Sequence, residues 1–92
     1  MQENPVVLKH GVFLAPFHNP VENPTIGLRQ DIELARIADD LGYDEYWFGE
    51  HHSGGVETIS SPELMIAAAA EVTRRIRLGT GVITLPYHNP LM

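Results

Sequence analysis

The sequence predicts an α/β fold in which short parallel strands alternate with helices. Apolar or aromatic runs of strand length alternate with helical patterns, in the order strand, helix, strand, helix, strand. The connections after the helices are short, whereas those after the strands are long and carry Asn, Pro and Gly. This asymmetry is typical of parallel β/α units, in which functional groups gather in the loops after the strands.

The first strand is predicted at Gly11–Ala15, a continuous apolar run that ends at Pro16. Such a run is typical of a strand buried on both faces, as in a parallel sheet. The residues before it, Met1 to Leu8, are expected to form an irregular lead-in. The loop after it contains two Asn-Pro pairs, which disfavour continuation of a strand or helix.

The first helix is predicted to begin with Asn23 as its N-cap and Pro24 at the first helical position. Apolar residues then recur at helical spacing, and charged residues occupy the remaining face. Gly42 is expected to end the helix, since glycine readily takes the left-handed C-cap conformation. The predicted apolar face comprises Leu28, Ile32, Ala35 and Ala38, widened by Leu34, Ile37 and Leu41.

The second strand is predicted at Glu45–Gly49, whose aromatic residues suit a pleated, half-buried surface. The second helix is expected to begin with a capping box of Ser60 and Glu63, or with Ser61 as the N-cap before Pro62. It is predicted to continue through an alanine-rich run.

Two arginines, Arg74 and Arg75, are expected in the last turn of the second helix, where positive charge suits the helix dipole. The third strand is predicted at Ile76–Leu85. Asn89-Pro90 then resembles the opening of a further helix. A closed (β/α)8 barrel needs about 250 residues, so we expect residues 1–92 to be the N-terminal part of a longer domain.

Composition excludes several classes of function. A formal net charge of −6 argues against nucleic acid or an anionic membrane as a partner. The absence of cysteine excludes disulfides and thiolate zinc sites, and it fits a cytoplasmic protein. Met1 to Lys9 lacks the pattern of a secretory signal, and the longest apolar run is far shorter than the roughly 20 residues of a membrane span.

Every predicted loop after a strand carries histidine: His18, then His51 with His52, and finally His88. The carboxyl ends of parallel strands share one edge, so we expect these side chains to converge there. A metal site that also includes Glu50 is an alternative to acid–base chemistry. Adjacent histidines usually point apart, and His-x-His and His-Glu-x-x-His spacings are absent, so we predict no metal site.

Three segments resemble the bacterial luciferase-like flavin monooxygenases. Leu41–His52 is similar to their second β/α unit, Gly11–Phe17 to their first strand, and Leu78–Pro86 to their third. His88–Pro90 is similar to the continuation of that strand. The resemblance runs in order to Met92. Members that are limonene-monooxygenase-like carry the Gly-Glu-His-His-Ser-Gly-Gly form found here.

The resemblance implies the first β-α-β-α-β portion of a TIM barrel that binds flavin at its carboxyl rim. It implies an oxidoreductase that uses reduced FMN and O2 as cosubstrates to oxidise a small organic molecule. A flavin reductase is the implied supplier of the reduced flavin, and a homo-oligomer is expected. The later strands supply the flavin-phosphate contacts in this family, so the 92 residues alone are expected to be inactive.

The same resemblance assigns roles to particular residues. His51 matches the catalytic histidine, flanked by Glu50, and imidazole chemistry suits proton transfer near neutral pH. Phe13 and Thr80 match positions near the flavin. Gly81 and Val82 match a position where the family often has a cis peptide bond against the flavin ring.

These residues also have structural, noncatalytic interpretations. His51 is alternatively a loop histidine that is hydrogen-bonded to backbone, and His52 is expected to be structural. Glu50 either orients His51 or faces a neighbouring subunit. For the whole chain, the alternatives are a flavin- or deazaflavin-dependent reductase on the same barrel, or a noncatalytic fragment that associates through unpaired sheet edges.

Overall fold

Three parallel strands form the sheet of the computed structural model, which describes residues 5–92. They are β1 (Gly11–Leu14), β2 (Glu45–Phe48) and β3 (Arg77–Thr80), in the order β1-β2-β3. Helices α1 (Pro24–Asp40) and α2 (Pro62–Ala70) connect consecutive strands. The predicted alternation of parallel strands and helices is therefore confirmed.

The hydrophobic core lies between the helices and one face of the sheet. Tyr46 and Phe48 of β2 are fully buried and touch edge to face, with ring centroids 5.0 Å apart. The other buried hydrophobic residues are Ala35, Ala38, Ile59, Met65, Ala69 and Ile76. The alanines allow the helices to pack close to the sheet, because only a methyl group lies between the helix backbone and the side chains of the sheet.

The opposite face of the sheet is exposed. Phe13 lies beside Trp47 in the β1–β2 register, and Trp47 lies beside Gly79 in the β2–β3 register. Phe13 is 61% exposed and Trp47 is 40% exposed. The expectation that the first strand is buried on both faces is thus wrong for the described residues, because the helices cover only one face.

Helix α1 begins and ends as predicted. The Asn23 side chain accepts a hydrogen bond from the backbone N–H of Thr25 at 3.0 Å, and Pro24 opens the helix. Gly42, at φ +90°, follows the C-cap Leu41. The predicted widening of the apolar face is exposed rather than packed, at Leu34, Ile37 and Leu41.

Helix α2 has Ser61 at its N-cap and Pro62 at its first position, as one of the two alternatives predicted. The alternative capping box is wrong, because the helix begins one residue later than Ser60 requires. The helix ends at Ala70, so the prediction that Arg74 and Arg75 occupy its last turn is also wrong.

A tertiary contact explains where the two arginines lie. The buried Asp39 of α1 accepts the backbone N–H groups of Arg74, Arg75 and Ile76 at 2.8, 3.2 and 2.9 Å. The bonds from Arg74 and Ile76 are the main reason that the pKa of Asp39 is lowered. The chain is therefore drawn out of the helix to begin β3.

The third strand is shorter than the predicted Ile76–Leu85. It ends at Thr80, beyond which the N–H of Gly81 donates to the carbonyl of Phe48 at 2.7 Å. A cis peptide bond joins Gly81 and Val82, as the family resemblance suggests. A 3-10 helix follows at Leu85–Tyr87.

The predicted lead-in, Met1 to Leu8, lies partly outside the described residues, which begin at Pro5. Residues 5–10 contain no helix or strand. Within residues 5–92, neither helix has the length and apolar character that crossing a bilayer requires.

Candidate active site

The three loops after the strands meet at the carboxyl edge of the sheet. A single antiparallel bridge between Phe17 and Glu57 joins the loop after β1 to the loop after β2. Glu50 joins the loop after β2 to the segment after β3, because it accepts the backbone N–H of Thr84 at 3.2 Å. The predicted common edge is therefore built from contacts between the loops.

Glu50 is the centre of a closed cluster. Its side chain is 0% exposed, and its two carboxylate oxygens face different imidazoles. Nε2 of His52 lies 2.7 Å from one oxygen, and Nε2 of His88 lies 2.6 Å from the other. With the N–H of Thr84, Glu50 accepts three hydrogen bonds, so burial does not leave the carboxylate unsatisfied.

The donors keep Glu50 ionised. Burial acts most strongly and in the opposite sense, since it raises the pKa of a carboxyl group. The bonds from His52, Thr84 and His88 together outweigh burial and lower the pKa of Glu50 to about 2. A carboxylate ionised at neutral pH only accepts, so each imidazole donates its Nε2–H.

The same cluster fixes the segment after β3. The ring of His52 stacks on that of Tyr87, with centroids 3.8 Å apart and planes 10° from parallel. His88 meets His52 edge to face at 6.5 Å. The Glu50 side chain therefore pairs with His52 and His88, and not with His51 as one alternative proposed.

Glu50, His52 and His88 also form a group of the size that a metal ion needs. One ligand atom from each lies within 4.8 Å of the others. The nitrogen–oxygen distances of 2.6 and 2.7 Å are, however, those of direct hydrogen bonds. We interpret the group as a hydrogen-bonded cluster.

His51 lies beside this cluster in a different environment. Its side chain is 47% exposed, and its Nδ1 lies 3.4 Å from Oε2 of Glu57. Its backbone N–H donates to the carbonyl of Ile59 at 2.9 Å, which anchors the residue while the ring stays accessible. An exposed imidazole beside a carboxylate is suited to accept or release a proton.

His18 has partners that differ from those of the other histidines. Its Nε2 lies 2.7 Å from Oδ2 of Asp31, and its Nδ1 lies 2.6 Å from Oγ1 of Thr58. Burial raises the pKa of Asp31, and the contact with His18 opposes that rise. The expected convergence of all four histidines is therefore wrong: His52 and His88 meet at Glu50, whereas His18 is a link between loops.

The residues expected near a flavin fall into two sets. A Cβ atom at Gly81 would lie 3.2 Å from Cε2 of Phe13, so these two residues are neighbours on the exposed face. Val82 is exposed beside them. Thr80 lies in register with the buried Phe48, which belongs to the face that the helices cover.

Two residues of the site were not identified from the sequence. Glu57 is the acidic partner of His51, and its only signal is that it is the one charged residue between His52 and Glu63. Trp47 stands next to Phe13 on the exposed face, which strand alternation with the buried Phe48 could have indicated.

Comparison with known proteins identifies the family. The family model of luciferase-like monooxygenases matches residues 8–92. The chain belongs to this family. Its three strands and two helices correspond to part of the TIM barrel of these enzymes, and the barrel is incomplete in this chain.

Two relatives carry the names of monooxygenases. The chain is 60% identical over 85 residues to 4-hydroxyprotoasukamycin monooxygenase of Streptomyces nodosus subsp. asukaensis, covering 92% of the chain and 23% of the relative. It is 52% identical over 82 residues to limonene 1,2-monooxygenase of Rhodococcus erythropolis, covering 89% of the chain and 21% of the relative. The chain thus spans less than a quarter of the length of either relative.

A solved structure shares the fold. The oxygenating constituent of 3,6-diketocamphane monooxygenase from Pseudomonas putida, a type II Baeyer-Villiger monooxygenase in complex with FMN, superposes with a TM-score of 0.85 at 32% identity. The match covers 92% of this chain and 23% of that structure.

Proposed function

We propose that the chain is the N-terminal segment of a flavin-dependent monooxygenase that uses reduced FMN and O2 to oxidise a small organic substrate. The observation that carries the proposal is an exposed wall of Phe13, Trp47 and Gly81 at the carboxyl edge of the sheet, together with the accessible His51 in the loop that follows the strand of Trp47. Relatives that are monooxygenases, and a fold neighbour that contains FMN, support it.

The wall fits a flat aromatic ring. At Gly79 a Cβ would lie 2.7 Å from the indole of Trp47, and at Gly81 it would lie 3.2 Å from the ring of Phe13. Glycine at both positions keeps the surface open where a planar group must approach the backbone closely. A bound flavin would supply the oxygen chemistry, and the chain would supply this apolar surface and a proton-handling group.

His51 is the proposed proton-handling group. Its ring is accessible, and its backbone is tied to Ile59 on the far side of the loop, so its position at the rim is fixed. A neutral imidazole accepts a proton, and the resulting cation returns it, without leaving the site.

Glu50, assigned to the catalytic group from the resemblance, has a different role in this proposal. It holds the segment from Thr84 to His88 against the end of β2. It thereby fixes the position of Val82 and Gly81, which lie immediately before that segment. Thr80 lies on the covered face of β3. We propose that it also acts indirectly, by positioning the adjacent Gly81.

Substrate and partners belong to the whole protein, of which this chain matches less than a quarter in its relatives. We propose a small, largely apolar organic substrate, since relatives carry the names of limonene and diketocamphane monooxygenases. One of them is described as an oxygenating constituent, which supports a separate flavin reductase as partner. A cytoplasmic homo-oligomer is proposed from the resemblance to the family and from the absence of cysteine.

The test is an oxidation assay with the whole protein. Reduced FMN generated by a flavin reductase, air, and either limonene or a bicyclic ketone should give an oxygenated product, and omission of the reductase or of oxygen should abolish it. Turnover without oxygen, together with tighter binding of a deazaflavin than of FMN, would instead establish the reductase alternative.

FMN affinity tests the wall itself. Phe13→Ala should weaken FMN binding by about tenfold, because an aromatic contact is worth roughly 0.5–1.5 kcal/mol. Phe17→Ala is the matched control, since Phe17 is equally exposed on the neighbouring loop but is not part of the wall. Equal losses in both variants would place the flavin elsewhere.

A further inference from the structure

We propose that Glu57 is a positioning residue for His51, which holds the neutral imidazole with its proton on Nδ1 and its lone pair on Nε2. The inference rests on the proposed role of His51 and adds a residue to which the sequence assigned no role.

The geometry places the carboxylate on one ring nitrogen. Oε2 of Glu57 lies 3.4 Å from Nδ1 of His51, and the Glu57 side chain is only 20% exposed. The carboxylate is thus partly withdrawn from solvent while the imidazole, at 47% exposure, remains accessible. A partly buried acceptor favours the tautomer that carries a proton facing it.

The backbone of Glu57 is fixed by the loop after β1. Glu57 forms an antiparallel bridge with Phe17. On either side of that bridge, the N–H of His18 donates to the carbonyl of Val56 at 2.7 Å, and the N–H of Thr58 donates to the carbonyl of Pro16 at 3.2 Å. The backbone that carries the Glu57 carboxylate is therefore held by hydrogen bonds to the loop after β1.

The side chain of His18 further holds the segment that contains Glu57. Its imidazole bridges Oγ1 of Thr58, at 2.6 Å, and the carboxylate of Asp31 in α1, at 2.7 Å. Gly27 makes room for the ring, since a Cβ there would lie 2.6 Å from Cδ2 of His18. Thr58, the residue next to Glu57, is thus anchored to α1 through one partly buried histidine.

The His51 ring is also confined on another side. A Cβ at Gly54 would lie 2.5 Å from Cδ2 of His51 and 2.9 Å from its Nε2. The ring therefore lies against the bare backbone of Gly54, with Glu57 at Nδ1. Together the glycine and the carboxylate restrict both the place and the orientation of the imidazole.

The chemical consequence concerns one proton. With a hydrogen on Nδ1, on the side of the ring that faces Glu57, the lone pair of the neutral ring is on Nε2. A proton taken up there converts His51 to the imidazolium, whose charge the ionised Glu57 balances. Release from Nε2 restores the starting tautomer, so no proton is gained or lost over the cycle.

The tautomer is measurable by nitrogen-15 NMR of the whole protein, without flavin or substrate. Histidine-labelled protein is recorded at alkaline pH, and His51 is assigned by the loss of its signals in His51→Asn. Glu57→Leu should lower the ratio of the Nδ1–H to the Nε2–H form about fivefold, since a contact between a neutral N–H and a partly exposed carboxylate is worth about 1 kcal/mol. Glu57→Gln, which keeps an acceptor, should retain most of the ratio.

Glu63→Leu is the matched control, because the Glu63 carboxylate lies 3.9 Å from Nδ1 of a different histidine, His88. It should leave the His51 ratio unchanged. An unchanged ratio in Glu57→Leu, or an equal fall in Glu63→Leu, would overturn the proposal. Far-ultraviolet circular dichroism checks that each variant is folded.

A double-mutant cycle, measured by turnover, tests the role of Glu57 separately from the proposed role of His51. Glu57→Leu should lower turnover about tenfold in the wild-type background but not in the His51→Asn background, since the two residues act through one group. Equal losses in both backgrounds would show that Glu57 acts independently of His51. If His51→Asn itself leaves oxidation intact, the proposed role of His51 fails while the tautomer result stands.

Discussion

His51 and His52 are adjacent in the sequence and opposite in environment. His52 donates to the fully buried carboxylate of Glu50 at 2.7 Å, stacks on Tyr87 and is 21% exposed. His51 is more than twice as exposed and meets Glu57 at 3.4 Å. The comparison is informative because both are histidines and both lie in the loop after β2.

The difference lies in how fully each imidazole is satisfied. His52 gives its Nε2–H to a carboxylate that also binds His88, so a change in its protonation disturbs a buried network. The side chain of His51 is 47% exposed and has a single carboxylate contact among the described residues, so fewer interactions depend on its ring. We infer that one histidine serves chemistry and its neighbour serves structure.

The largest expected effect is on turnover. His51→Asn should lower substrate oxidation by about 10²–10⁴-fold, the usual contribution of a general acid–base group. FMN affinity should change little, because the proposed wall of Phe13 and Gly81 is untouched. Steady-state kinetics with reduced FMN, together with an FMN titration, measures both quantities.

His52→Asn is the comparison for that variant. It should lower the free energy of unfolding more than it lowers turnover, because it removes a donor to Glu50 and the stack on Tyr87. A loss of turnover as large as that of His51→Asn, in a protein of unchanged stability, would reverse the roles assigned to the two histidines.

The next effect is on stability. Glu50→Gln should lower the free energy of unfolding by about 3 kcal/mol, since breaking a buried charged network leaves its partners unsatisfied. Urea titration measures the change. Glu57→Gln should cost less than about 1 kcal/mol, because that pair is partly exposed. Similar losses in the two variants would contradict the contrast between the clusters.

Acid should act on the same cluster without a mutation. Hydrogen bonds hold the pKa of Glu50 at about 2, against an ordinary value of 4.5. A lowered pKa contributes stability that is present above the ordinary value and is lost as the pH falls towards the folded value. The stability advantage of wild type over Glu50→Gln should therefore decline from about pH 4.5 downwards, and an advantage independent of pH would be inconsistent with an ionised Glu50.

The smallest expected effects come from two neighbouring glycines. Gly54→Ala should lower turnover by about tenfold, because its methyl group would displace the His51 ring. Gly55→Ala meets no atom within 4 Å, but it forces alanine to φ +71°, so it should cost roughly 1 kcal/mol of stability with little change in turnover. Kinetics and thermal unfolding of the pair separate displacement of the ring from backbone strain.

Local sequence patterns predicted the elements that depend on local interactions. Asn23, Pro24 and Gly42 act at the ends of α1 as their side chains and backbone preferences require. The prediction failed where a distant residue competes. Helix α2 ends early because Asp39, more than thirty positions away, takes the backbone N–H groups that follow.

In the candidate site, too, local features were predictable from the sequence and long-range contacts were not. Loops that carry histidine after each strand were predictable, because parallel strands place those loops on one edge. The partners were not: His18 pairs with Asp31, and His51 pairs with Glu57 rather than with the adjacent Glu50. Side-chain pairing depends on directions that a one-dimensional pattern does not contain.

The sequence by itself determined the alternation of strands and helices, the family, and the position of the histidines after β2. Those properties follow from spacing, capping and the order of motifs, which are local. Only the tertiary structure decided which histidine is enclosed and which is exposed. That choice depends on Glu50, which is buried where the segment after β3 folds back over the end of β2 and leaves His51 outside.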